Sequence, residues 1–131
     1  MTNPLPQTTI LVVDDDRELR TALTLGLRGE GYSVVAVSDG QEALDTLRQG
    51  LRPCLILLDL EMPVLDGYQF RAVQREDAAL AEIPTVLLTA NQRAVDTARN
   101  LGCVLGLQKP IEWPRLAGIV SDHCPGCSIG R

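Results

Sequence analysis

Aromatic side chains are scarce in this chain: one Trp, two Tyr and one Phe, 3% of 131 residues. Its core must therefore come from Leu, Val, Ile and Ala, within a hydrophobic content of 45%. Positive charge is also in short supply, 12 Lys and Arg against 17 Asp and Glu, for a net charge of -5. That balance argues against direct nucleic-acid binding, and no basic run marks an anionic membrane surface. No apolar run approaches the ~18 residues of a membrane-crossing helix. The opening MTNPLPQTT lacks both the basic side chain and the apolar stretch of a secretory signal, and residues 1–8 read as a flexible leader. The length is that of one ordinary domain.

Cysteine is present four times, without the dense spacing of a disulfide framework. Cys54 and Cys103 stand beside apolar strand residues and are expected to be buried thiols that behave as small hydrophobes. A reducing, cytoplasmic location fits that usage. The segment HCPGC gives His123, Cys124 and Cys127 a zinc-like or redox-like spacing. One C-x-x-C supplies too few ligands to close a zinc site, and a thioredoxin-type motif follows an early strand. Residues 123–131 are therefore read as an incidental tail.

What is abundant is alternation. TILVV is a short continuous apolar run, followed by Leu19, Ala22, Leu23, Gly26 and Leu27 on one helical face, then GEGY as a stop. SVVAV is a second strand, and Ser38 with Gln41 predicts a capping box opening a helix that buries Ala43, Leu44 and Leu47. CLILL precedes a helix from about Leu65 to Arg75, with Tyr68, Ala72 and Val73 expected inward. TVLLT precedes a helix marked by Ala94, Val95, Ala98 and Leu101 and closed by Gly102. VLGL precedes a last helix lined by Leu116, Ile119 and Val120, with Pro114 in its first turn. Continuous apolar strands separated by helices predict an α/β fold: one domain over residues 9–122, a five-stranded parallel sheet with helices on both faces.

In such sheets ligands bind beyond the carboxyl ends of the strands. Asp14, Asp15 and Asp16 follow the first strand, Asp59 and Glu61 the third, Thr89 the fourth and Lys109 the fifth. The second strand ends in nothing comparable, as an edge strand would. Two carboxylates ~4 Å apart repel by roughly 4 kcal/mol at an effective dielectric of ~20, so Asp14, Asp15 and Asp59 in one pocket call for cations. Lys109 is one; a hard divalent ion with oxygen ligands, Mg²⁺ or Mn²⁺, supplies the rest. For Asp16 the reading is a helix N-cap. A carboxylate, a divalent ion, a lysine and a hydroxyl together are the parts of a phosphoryl-transfer site with an aspartyl nucleophile.

The segments ILVVDDD, LILLDLEMPVLDG, PTVLLTA and LQKP, in that order and on those strands, resemble the receiver domain of two-component response regulators, with its CheY-like fold. The resemblance spans Ile10 into the last helix. It implies Asp59 as phosphoacceptor, Asp15 as direct metal ligand, Asp14 acting partly through water, and the backbone carbonyl of Glu61 completing the shell. It implies Thr89 as the switch hydroxyl, Lys109 as the phosphoryl contact, and Met62-Pro63 with Asp66-Gly67 as the loop shaping the pocket. Small Ala90 leaves the pocket open to a donor. The implied partners are a histidine kinase or phosphotransfer protein and a downstream protein or output domain. Phosphoryl acceptance and hydrolysis are then self-catalysed, and the domain is not an enzyme in its own right. The sequence leaves oligomeric state open, and leaves open whether this receiver stands alone or belongs to a longer regulator or hybrid kinase.

Two positions depart from the family pattern. Gly106 stands three residues before the lysine, where an aromatic is usual, so the threonine-aromatic coupling cannot operate as in relatives. Glu61 sets an acid at the pocket mouth. Two other readings remain: a receiver-like interaction module working without phosphorylation, and an aspartyl-phosphate phosphatase of the haloacid-dehalogenase type. The latter needs D-x-D-x-[TV], and Asp14-Asp15-Asp16 is followed by Arg17 and Glu18 instead. No phosphate-cradling glycine motif follows the first strand.

Overall fold

Strand and helix alternate five times in the computed structural model, which describes residues 9–124. The strands are β1 (Thr9–Val13), β2 (Ser33–Val37), β3 (Leu55–Asp59), β4 (Thr85–Thr89) and β5 (Leu105–Gln108). They form one parallel sheet in the order β2-β1-β3-β4-β5, so β2 is indeed an edge. Between and after them run α1 (Arg17–Gly29), α2 (Gly40–Arg48), α3 (Gly67–Glu76), α4 (Ala94–Asn100) and α5 (Trp113–His123). Among the described residues no helix is long and apolar enough to cross a membrane.

Successive strand residues point to opposite faces, which splits the core in two. Ile10, Val12, Leu55, Leu57, Val86 and Leu88 pack with Leu23 and Leu27 of α1 and Leu116 and Val120 of α5. Leu11, Val13, Ile56, Leu58 and Leu87 pack with Ala43, Leu44 and Leu47 of α2, Phe70 of α3 and Ala98 of α4. Both faces of the three central strands are buried, which is why those strands read as unbroken apolar runs.

Several local expectations need correction; on α1, for one, Ala22 is exposed and the buried face is Leu23 and Leu27. The cap of α2 is Asp39, accepting from the Glu42 amide, while the Glu42 carboxylate takes the amide and hydroxyl of Ser38. The partners are thus Asp39 and Glu42, with Glu42 reaching Ser38 and not the cap residue itself, so no capping box closes; Gln41 instead donates to Asp45. On α3 the buried face is Gly67, Phe70, Arg71 and Gln74; Tyr68 is 48% exposed, and Ala72 faces outward. Val95 of α4 is 58% exposed, because this short helix packs through Ala94 and Ala98. Finally, Cys54 is not a thiol: it is bonded to Cys124, which is 1% exposed in the α1/α5 core. His123 ends α5, so the expected tail begins inside the helix; Cys127 lies outside the described residues. Cys103 is a free, partly buried thiol, as expected.

Arg71 and Gln74 form a buried polar chain that sequence reading overlooked. Arg71 donates to the carbonyls of Leu101 (2.9 Å) and Gly102 (2.6 Å) and to Gln74 (2.8 Å). The Gln74 amide then donates to Leu80, Ile83 and the Thr85 hydroxyl. This chain ties α3 to the end of α4 and the start of β4. Gly102 turns the chain there at φ 70°, a conformation that costs a side-chain-bearing residue.

Candidate functional site

The rim at the carboxyl ends of β1, β3, β4 and β5 gathers the residues named from sequence. Asp14 continues β1, its amide donating to Val37 of the edge strand, and is fully buried. Asp16 caps α1, accepting the amides of Glu18 and Leu19. That role takes away the second acid the phosphatase reading requires. The Asp16 amide donates to Asp14 Oδ1 at 2.8 Å, and Arg20 holds the Asp14 carbonyl at 2.8 Å. Arg20 is a positioning residue that sequence did not single out, because an Arg one turn into a helix reads as surface.

Asp59 ends β3 and is 5% exposed. Lys109, just past β5, bridges the two buried acids: its Nζ is 2.9 Å from Asp14 Oδ2 and 3.4 Å from Asp59 Oδ1. Burial pushes the Asp59 carboxyl up from 3.8 to about 6; Asp14 raises it further, and Lys109 opposes. Burial acts downward on the Lys109 ammonium, but the hydrogen bond and charge of Asp14, with help from Asp59, hold it above its ordinary value. Burial leads the Asp59 shift, and in both groups the charge of Asp14 adds an upward push.

The loop after β3 is held in place by its backbone. The Gly67 amide donates to the Leu60 carbonyl at 2.8 Å, and a Cβ on Gly67 would sit 2.5 Å from the Asp59 carbonyl oxygen. Only glycine lets α3 start this close to the acid. Pro63, Val64 and Leu65 make a three-residue turn, Leu65 N–H to Pro63 O at 2.7 Å, with Val64 at φ 68°. The Leu65 carbonyl then accepts from Gly40 at the start of α2. Asp66 and Gln69 form the capping box of α3. The Glu61 side chain is exposed.

Thr89 ends β4, 1% exposed. Its hydroxyl accepts the Asn91 amide at 3.1 Å, leaving its own proton to donate, and its carbonyl accepts the Lys109 amide at 2.7 Å. Thr89 and Lys109 are thereby joined through the backbone, and the peptide that follows, Lys109–Pro110, is cis. Gly106 is buried in β5 directly under α4: a Cβ there would run into the Ala94 carbonyl and lie 2.8 Å from Ala98 Cβ. The missing aromatic is therefore matched by a helix seated on bare backbone.

Asp14, Asp15 and Asp59 each offer a carboxylate oxygen, all within 4.8 Å of one another, Asp15 from the exposed side. Opposite oxygens about a magnesium ion are separated by about 4.2 Å, and hard oxygen donors with an open, solvated side suit it. The residues present fit the ion.

Residues 10–121 match the response regulator receiver domain. Over 92 residues, 70% of this chain, the sequence is 45% identical to the DNA-binding response regulator MtrA of Mycobacterium tuberculosis, covering 39% of that protein. Over 116 residues, 86% of the chain, it is 36% identical to the response regulator Rre1 of Synechocystis, covering 50%. The chain thus spans two-fifths to half the length of these curated relatives. Among solved structures, the receiver domain of a sensor histidine kinase from Pseudomonas aeruginosa aligns with TM-score 0.80 and 31% identity, over 91% of this chain and 98% of that one. That protein has a magnesium ion coordinated in its active site cleft. Sequence match, sheet order and acidic rim agree: this chain belongs to the receiver-domain family of two-component response regulators.

Proposed function

We infer that Asp59 accepts a phosphoryl group from the phosphohistidine of a histidine kinase or phosphotransfer protein. Asp14, Asp15, Asp59 and the Glu61 backbone carbonyl are the ligands we assign to Mg²⁺, with Mn²⁺ as a substitute. The supporting observation is the convergence of three carboxylates on one ammonium at the sheet's carboxyl rim, with ligand oxygens inside 4.8 Å.

An ionised Asp59 oxygen forms a bond to phosphorus as the donor's P–N bond breaks, and the bonding electron pair leaves with the imidazole nitrogen. The Asp59 carboxyl, at about 6, is mostly ionised at neutral pH and hence ready to attack. Lys109 donates from Nζ to the arriving oxygens, and Thr89 offers its hydroxyl proton to another. When bound, the divalent ion supplies positive charge for the same oxygens. Hydrolysis of the acyl phosphate at this site ends the signal, so the domain modifies itself rather than turning over an external substrate. A cytoplasmic location, where kinase domains and their ATP meet, agrees with this role.

The signal leaves through protein contacts. One relative is a DNA-binding response regulator of which this chain matches 39%, so a DNA-binding output is one destination we assign to such a receiver. Incubation with acetyl phosphate and Mg²⁺ followed by intact-mass measurement tests the assignment. One phosphoryl group should be gained by the natural sequence and none by Asp59→Asn. The reading as an interaction module without phosphorylation draws support from the α4 seat on Gly106. It predicts no gain from acetyl phosphate or from a phosphorylated kinase.

A further inference from the structure

Two cysteines separated by 70 residues meet at the amino end of the sheet's central strand, remote from the acidic rim. Cys54 stands immediately before β3, and Asp59 ends that strand, so five residue steps, ~16 Å of extended chain, separate them. Cys124 caps α5, its amide donating to the Val120 carbonyl at 2.8 Å, and its side chain is packed among core residues. The bond therefore fastens the last turn of α5 to the entrance of β3. The first turn of that helix has other support: Trp113 lies over Gly26 of α1, where a Cβ would be 2.7 Å from the indole, and Leu116 is fully buried.

Both oxidation states suit these surroundings. Cys54 Sγ is 3.4 Å from the Thr9 carbonyl oxygen, within reach of a reduced thiol's proton, and Cys124 in its apolar cluster is tolerable as a small hydrophobe. Cys54 is the more exposed of the two, so exchange begins there. We propose that Cys54 and Cys124 are a reversible thiol-modification site, a redox-dependent clasp on the end of α5 that acts independently of Asp59. The oxidant class is a small-molecule disulfide. The Cys54 thiolate attacks it, forming a mixed disulfide and releasing one small thiol; the Cys124 thiolate then displaces the second. The protein loses two electrons and two protons, and one disulfide becomes two thiols. Reduction reverses each step.

The test compares the full chain after equilibration with oxidised glutathione and after reduction with dithiothreitol. Peptide mapping of the oxidised form should find Cys54 joined to Cys124 and Cys103 open to alkylation. Closing a loop of this length should lower the unfolding equilibrium constant by about a thousandfold relative to the reduced form. On reduction the local opening that exposes the Cys124 amide should rise at least about tenfold, while local opening at the Leu116 amide, bonded to Glu112, should not change, both read at low denaturant after subtracting the global unfolding contribution. Cys54→Ser should erase the redox dependence; if it fails to fold, Cys124→Ala carries the same comparison. Labelling of the rim by acetyl phosphate should agree within about twofold between the two states. A Cys124–Cys127 linkage, stability independent of redox state, or loss of labelling on oxidation would overturn the proposal.

Discussion

At the scale of single residues, the site's reactivity and its cost to the fold have the same origin. The Asp59 carboxyl sits at about 6 rather than 3.8, through burial first and Asp14 second. A raised acid is one whose ionised form the folded protein disfavours. The cost is absent below the unfolded value near 3.8, grows through the interval, and is complete above about 6. Asp59→Asn should therefore stabilise the metal-free protein by about 2 kcal/mol near neutral pH and by roughly half that near pH 5, read by denaturant unfolding. A stability loss at both values would contradict this. Arg71 gives the opposite case. Replacing it with Met strands the Leu101 and Gly102 carbonyls and leaves the Gln74 amide oxygen only the Thr85 hydroxyl at 3.4 Å, and should cost about 3 kcal/mol. The acids on the rim were legible in the sequence because each interrupts the polarity of an apolar strand at its carboxyl end. Arg71 was not, since its partners lie 30 and 31 residues away and a helical Arg reads as solvent-facing. Cys54 was misread for a similar reason: nothing local distinguishes a thiol from half of a bridge.

Among the elements, strands were easier to place than helix faces. Continuous burial on both sides of the sheet leaves an unmistakable run of Leu, Ile and Val in the three central strands, and these with the weaker runs of β2 and β5 indicated the architecture. Helices here bury narrow faces, and in α3 two of the four buried positions are polar, which blurs the periodicity. Two backbone positions lead to predictions. Val64 holds φ 68° in the turn that carries the loop after β3 back toward α2, a left-handed conformation that a β-branched residue adopts at a cost. Val64→Gly should raise stability by about 1 kcal/mol in thermal unfolding; no gain would mean the turn relaxes without strain. Gly106 is the reverse. An aromatic there would restore the family's residue type, but its Cβ meets the Ala94 carbonyl of α4. Gly106→Phe should cost about 2 kcal/mol or more and leave coupling to Thr89 unrestored, as judged by denaturation and by partner affinity with and without beryllofluoride. A stable variant with a stronger phosphorylation-dependent response would show that α4 yields easily.

For the whole molecule, two ends of one sheet carry separate chemistry. The carboxyl ends gather charge that only cations relieve; the amino ends are closed by apolar packing and the Cys54–Cys124 bond. That polarity is a consequence of parallel strands, which deliver every β-to-α loop to the same rim. The excess negative charge there is the central claim, and a calorimetric titration with Mg²⁺ is its most direct test. The account predicts one bound ion per chain, affinity falling as pH is lowered through about 6 where Asp59 takes up a proton, and at least about tenfold weaker binding in Asp15→Asn. No heat of binding, or a Mg²⁺ affinity untouched by Asp15→Asn, would contradict it.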